Sequence, residues 1–192
     1  ASGGTSAYTY AVTAGSLPPG VALGAGGALS GAATSTGTFN FTVTATDSST
    51  GTGSPYTGSR AYTWTINPPV LALSPVSGNL SGSALTAYSQ AFTASGGTAP
   101  YSYGITVNSG AMPAGLSFSN GTLSGMPTAA GTVNFTVTAT DSTAGGPFSV
   151  PGTYNLTIGA PMVTVAPTTL PAPVIGTAYS QTMSGSGGSA PY

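Results

Sequence analysis

Gly131-Thr132-Val133-Asn134-Phe135-Thr136-Val137-Thr138-Ala139-Thr140-Asp141 reads as one strand with two unlike faces. Val133, Phe135 and Val137 fall on one side, and Asn134, Thr136 and Thr138 on the other. A period of two with an apolar and a polar face is the pattern of an antiparallel strand that covers a core and meets water. The same stretch stands 94 residues earlier as Thr38-Phe39-Asn40-Phe41-Thr42-Val43-Thr44-Ala45-Thr46-Asp47. A repeat of this length is a small domain, not a solenoid turn.

Outward from these strands the two copies stay in step. Tyr8, Tyr10 and Val12 alternate with Thr9 and Ala11, as Tyr101, Tyr103 and Ile105 do in the second copy. Tyr62, Trp64 and Ile66 correspond to Tyr154, Leu156 and Ile158. Leu17-Pro18-Pro19-Gly20 matches Met112-Pro113-Ala114-Gly115, where Pro fixes φ and Gly accepts positive φ, so both read as reversals. Gly24-Ala25-Gly26-Gly27 and Ser119-Asn120-Gly121 read as hairpin turns before Leu29 and Leu123. No apolar period near 3.6 survives the Gly and Pro residues, so no helix is expected. Short strands at regular spacing predict an all-β chain of tandem two-sheet sandwiches.

The Pro-bearing joints Asn67-Pro68-Pro69 and Gly159-Ala160-Pro161 set the expected boundaries. Residues 67–158 are one complete repeat. Residues 1–66 lack the first strand region, and residues 159–192 are the opening of a third repeat. The chain starts with neither Met nor a signal peptide, which reads as a fragment or processed product of something longer.

Composition narrows function by exclusion. Charged residues are 2% of the 192, and His and Cys are both absent; about 25% charge is usual. The charges are Asp47, Asp141 and Arg60. One carboxylate per repeat and no imidazole leave no acid–base pair, triad or zinc site, so no catalytic residue is assigned. A single Arg cannot neutralise a phosphate backbone or hold an anionic membrane surface, and no run is long enough to span a bilayer. Yet 40% of the chain is hydrophobic, too much for a disordered polar tract.

With these motifs in place the chain resembles the bacterial "putative Ig" repeats, a cadherin-like group of Ig-fold modules. The resemblance rests on Tyr88-Ser89-Gln90, Ala94-Ser95-Gly96-Gly97, Pro100-Tyr101, Met112-Pro113-Ala114-Gly115-Leu116, Gly121-Thr122-Leu123-Ser124-Gly125-Met126-Pro127-Thr128 and the strand that follows. It implies β-sandwiches strung in large extracellular or cell-surface bacterial proteins, adhesins and stalks among them, with no general catalytic residues. The low charge departs from typical members.

Individual residues then carry definite expectations. Asp47 and Asp141 are weak calcium candidates, but calcium wants six to eight oxygens, and an Asx turn closing the loop suffices. No other cofactor is expected. Trp64 and the tyrosines suggest a sugar platform; the exchange of Trp64 for Leu156 makes them core instead. The sequons at Asn40, Asn79, Asn120, Asn134 and Asn155 read as outward polar positions. Sugars on Ser or Thr fit an uncharged surface better. Gln90 and Gln181 call for simple hydrogen bonding rather than an ester bond.

An uncharged sheet edge is unguarded against pairing. The expected function is therefore a self-associating extracellular filament, fibre or sheath, with other copies or repeats as partners and cell-surface or glycan partners beside them. Strand donation from residues 159–192 of one copy to residues 1–66 of the next is one route; a longer covalent array is the other. The competing functions are a stalk in a surface adhesin and an accessory module of a secreted enzyme.

Overall fold

In the computed structural model, which describes residues 1–188 and 191, the strands form where alternation and turn chemistry place them. Contacts divide the chain into two compact units. One joins Ala1–Val70 with Gly96–Pro100 and Asp141–Phe148; the other joins Leu71–Ser95, Tyr101–Thr140 and Ser149–Tyr192.

The first unit holds β1 (Thr9–Gly15), β2 (Val21–Leu23), β3 (Leu29–Gly31), β4 (Gly37–Thr46) and β5 (Thr57–Ile66). Strands β1, β4 and β5 form an antiparallel sheet in that order, and β2 pairs with β3 as a hairpin. Phe41 and Pro18 are its buried apolar side chains among the described residues.

The second unit holds β6 (Ala72–Ser74), β7 (Gly78–Ser83), β8 (Tyr88–Ala91), β9 (Thr93–Ser95), β10 (Ser102–Gly110), β11 (Leu116–Ser119), β12 (Thr122–Gly125), β13 (Gly131–Thr140) and β14 (Ser149–Gly159). A four-stranded sheet runs β10-β13-β14-β7, with β7 parallel to β14 at its edge. A three-stranded sheet runs β11-β12-β8, and β6 pairs with β9. Val133, Phe135, Val137 and Ala139 of β13 and Tyr154, Leu156 and Ile158 of β14 face Leu123 of β12 and Phe92. This is a two-layer core built from the inner face of each sheet. Burying a side chain such as Leu156 contributes about 1.5–3 kcal/mol.

The turns follow their residues. Leu116 N–H donates to the Pro113 carbonyl at 3.1 Å, with Gly115 at φ +91°. Its partner across the strand pair, Gly125, sits at φ +139°, and a Cβ there would lie 2.0 Å from the Gly115 oxygen. Asn120 and Gly121 both take positive φ, the geometry of a two-residue hairpin turn between β11 and β12.

After β14 comes β15 (Thr164–Ala166), paired with β16 (Ser184–Ser186). The register, Thr164 opposite Ser186, repeats that of Ala72 opposite Ser95 in β6 and β9. Between β15 and β16 no strand forms. Leu170, Val174, Ile175, Tyr179 and Met183 are exposed there.

Trp64 and Tyr62 correct the sequence expectation. The repeat alignment predicts a core position for both, yet Trp64 is 38% and Tyr62 45% exposed, while Leu156 and Tyr154 are both 0%. The alternation itself holds: all four side chains lie on the corresponding face. The difference is what opposes that face. Leu156 is paired with Leu80 of β7, and Phe92 covers Tyr154. In the first unit β5 is an edge strand, with β4 as its sole strand partner among the described residues.

Candidate functional site

Two features outside the closed core carry polar chemistry or open surface: the carboxylate at the end of each long strand, and the uncovered face of β5.

Asp47 follows the last residue of β4. Its Oδ1 accepts from the Tyr56 N–H at 2.8 Å and the Ser49 hydroxyl at 2.7 Å, and its Oδ2 from the Thr5 N–H at 3.0 Å. Ser48 N–H donates to the Thr5 carbonyl at 3.0 Å, closing a second link between the same segments. Asp141 repeats this after β13. Its Oδ1 accepts from the Phe148 N–H at 2.7 Å, and its Oδ2 from the Thr98 N–H at 3.2 Å and from the Thr143 hydroxyl. Ser142 N–H donates to the Thr98 carbonyl at 2.9 Å.

The donors set the charge state. The Thr5 N–H, then the Ser49 hydroxyl, draw the Asp47 pKa from its ordinary 3.8 down to about 2, against the opposing pull of burial. At Asp141 burial pushes the carboxyl up, but the Thr143 hydroxyl and the Phe148 and Thr98 N–H groups outweigh it and hold the pKa below 3.8. Both groups stay ionised at neutral pH, satisfied by N–H and O–H donors. The Asx-turn reading thus describes half of each site. The Ser49 and Thr143 contacts are local, whereas Thr5 and Thr98 come from a distant strand entry. The matching Gly-Gly-Thr motifs before Thr5 and Thr98 were the available signal. The described residues contain no cluster of three or more His, Cys, Asp or Glu.

The second feature lies over β1, β4 and β5. Tyr8, Tyr10, Val43, Tyr56, Arg60 and Tyr62 wall an open groove of about 600 Å3. Phe41 and Tyr62 stack at 5.7 Å between centroids. Arg60, the chain's single cationic side chain, lies 6.0 Å from the Tyr62 ring, a loose cation–π distance. Its counterpart on β14 is Gly152, whose missing Cβ leaves room for Leu73. Trp64 continues the aromatic row toward Ile66.

The outer face of the second unit holds an amide row that strand-by-strand reading missed. Asn108 Nδ2 donates to Asn134 Oδ1 at 2.7 Å, Asn134 Nδ2 to Asn155 Oδ1 at 2.6 Å, and Asn155 Nδ2 to Asn79 Oδ1 at 3.5 Å. Three of these four are the sequon residues, pointing outward as expected but bonded to each other. In the first unit Asn40 accepts from Thr63 at 2.7 Å. Gln90 and Gln181 each donate to the next residue's carbonyl, Ala91 at 2.8 Å and Thr182 at 3.2 Å. No helix among the described residues is long and apolar enough to cross a membrane.

Fold and repeat together define a tandem array of Ig-like β-sandwich modules. The putative Ig domain family matches residues 1–67 and again 68–159, and the chain belongs to that family. Among curated proteins none matches. Of solved structures, the N-cadherin EC1-4 fragment of Drosophila is similar at 14% identity, over 85% of this chain and 45% of that one, with a TM-score of 0.37. Domains 4 and 5 of the S-layer protein SbsC are similar at 15% identity, over 78% and 70%, with a TM-score of 0.33. An endo-fucoidan hydrolase of glycoside hydrolase family 107 is similar at 21% identity, over 80% of this chain but 23% of its own, with a TM-score of 0.28. The chain therefore spans less than half of the cadherin fragment and of the hydrolase. At such scores these likenesses carry no functional argument.

Proposed function

We propose that this chain is a non-catalytic structural module of an extracellular bacterial filament, fibre or sheath, associating with other copies or repeats through uncharged sandwich surfaces. The observation that carries the reading is the near-absence of charge: Asp47, Asp141 and Arg60 are the charged side chains of 192 residues. Natural sheet edges are guarded against pairing largely by charges, Lys above all. Membership in a family of Ig-like modules supports the non-catalytic part. The paucity of charge fits a surface that meets its own kind, since nothing on it repels an identical copy.

Sedimentation velocity over a range of protein concentration, at low and high salt, tests the reading. Concentration-dependent association that persists at both salt levels is expected. A monomer throughout, or assembly abolished by high salt, overturns it.

A further inference from the structure

The hairpin between β11 and β12 combines two requirements that are chemically unsafe together. Asn120 and Gly121 take φ of +46° and +76°, so the turn calls for residues that accept the left-handed region. Gly121 is constrained a second time. A Cβ there would lie 2.9 Å from the Phe92 carbonyl oxygen and 3.0 Å from the Tyr103 ring, so glycine is required. An asparagine followed by glycine exposes its side-chain amide to the next backbone nitrogen, because no side chain on that next residue obstructs the approach.

The other asparagines are guarded. Asn79, Asn134 and Asn155 lie within strands, precede Leu or Phe, and are bonded in the amide row. Asn108 donates to Asn134 and Thr136. Asn40 precedes Phe41 and accepts from Thr63. Asn67 precedes Pro68, which has no N–H. Asn120 alone is exposed in a turn before glycine. The ladder closes at Ser119 opposite Thr122, which leaves the Gly121 N–H outside it.

We infer that Asn120 is a site of spontaneous covalent modification, converting to aspartate and isoaspartate in the folded chain and thereby releasing Phe92. The Gly121 nitrogen attacks the Asn120 Cγ, gives up its proton, and expels the side-chain nitrogen as ammonia. A five-membered imide results, and one water opens it. Addition of water at Cγ gives aspartate. Addition at the backbone carbonyl carbon gives isoaspartate, in which the chain runs through Cβ and Cγ. Either product adds one negative charge to a chain whose net charge is −1.

The isoaspartyl product also changes the packing. Phe92 N–H donates to the Gly121 carbonyl at 2.7 Å, and the Phe92 ring lies 4.8 Å from Tyr154 and 6.1 Å from Phe118. Isoaspartate inserts an extra backbone carbon directly before Gly121. A two-residue turn has no slack for it, so the Gly121 carbonyl leaves its place and the Phe92 N–H loses its acceptor. The ring that covers Tyr154 is then held by packing alone. The corresponding turn of the first repeat, Gly24-Ala25-Gly26-Gly27, has no Asn, which confines the reaction to the second.

The test holds the purified full chain in mildly alkaline buffer made with heavy-oxygen water, until a synthetic peptide of residues 117–124 under the same conditions has converted fully. Peptide mapping by mass is expected to find the label at Asn120 several-fold ahead of every other asparagine. An isoaspartyl methyltransferase should modify the same peptide. Deuterium exchange of the Phe92 amide should be several-fold faster in the isoaspartyl form, as a lost local bond requires. Asn120→Gly, which keeps the positive φ and removes the amide, should take up no label in this peptide and keep slow exchange at Phe92. An unlabelled Asn120 in the folded chain, or another asparagine that outruns it, overturns the site. Isoaspartate at Asn120 with unchanged exchange at Phe92 overturns the release.

Discussion

Phe92 meets Tyr154 edge-on at 4.8 Å, with the rings 64° apart. Tyr154 in turn lies 5.7 Å from Phe135, the same spacing as Tyr62 from Phe41. The two repeats therefore share an aromatic pair of equal geometry, and only one has a third ring over it. Tyr154 is sealed by that ring and donates its hydroxyl to the Pro75 carbonyl at 2.6 Å.

The unequal cover predicts unequal costs of truncation. Leu156→Ala opens a cavity in a closed core and lowers stability by about 2–5 kcal/mol. Trp64→Ala costs less than half of that in the unassociated chain, because over a third of Trp64 is already in water. Urea unfolding followed by circular dichroism at low concentration compares them. Equal losses would show that Trp64 is packed as Leu156 is.

Gly125→Ala places a methyl group 2.0 Å from the Gly115 carbonyl oxygen at a positive φ. The expected loss is about 1–3 kcal/mol, the range for forced backbone strain. Gly104→Ala is the control: no atom lies within 4 Å of its added Cβ. It should change stability by no more than roughly 0.5 kcal/mol. Thermal unfolding midpoints of the two variants decide it.

Stability should be flat in pH across the neutral range, since no His, Cys or Lys is present to titrate. Asp47 and Asp141 have folded pKa values below their ordinary 3.8. Their contribution is complete above that value and is lost as pH falls toward about 2 at Asp47. Tyr88 and Tyr154 are raised above 10.0 by burial. The stability they protect is complete below 10.0 and is lost as pH rises through their folded values. Melting temperature against pH should therefore form a plateau with an acid and an alkaline shoulder. A step near pH 6 or 7 would contradict it.

Asp141→Ala leaves the Phe148 and Thr98 N–H groups without their acceptor. The expected effect is early proteolysis within residues 141–148 and a lower melting temperature. Asp141→Asn keeps one acceptor oxygen and should fall between the wild type and the alanine variant. Limited proteolysis with mass mapping reads this directly; unchanged cleavage would show that the carboxylate does not hold the loop.

Much of this was legible in the chain. The faces of β13 and β14, the reversal at Gly115 and the hairpin at Asn120-Gly121 follow from alternation and turn chemistry, which are local. The two carboxylates were legible as loop closures, but Thr5 and Thr98 were not, because their N–H groups arrive through tertiary folding. Trp64 failed for a related reason. Matching it to Leu156 transfers the direction of the side chain, not the layer opposite. That layer is supplied by β7, β8 and Phe92 in the second repeat; they belong to the first strand region that residues 1–66 lack, so the missing cover was legible from the repeat alignment, though not from the alternation within β5.

The row of Asn108, Asn134, Asn155 and Asn79 crosses four strands at right angles to the chain. Each strand contributes one tooth, so the row works as a vernier. Sliding any strand by one residue turns its amide inward, where it would lose its partner and displace an apolar side chain. A sheet nearly bare of charge has no electrostatic means of rejecting a misaligned neighbour. Here neutral amides do that sorting, and they do it equally well in brine and in fresh water.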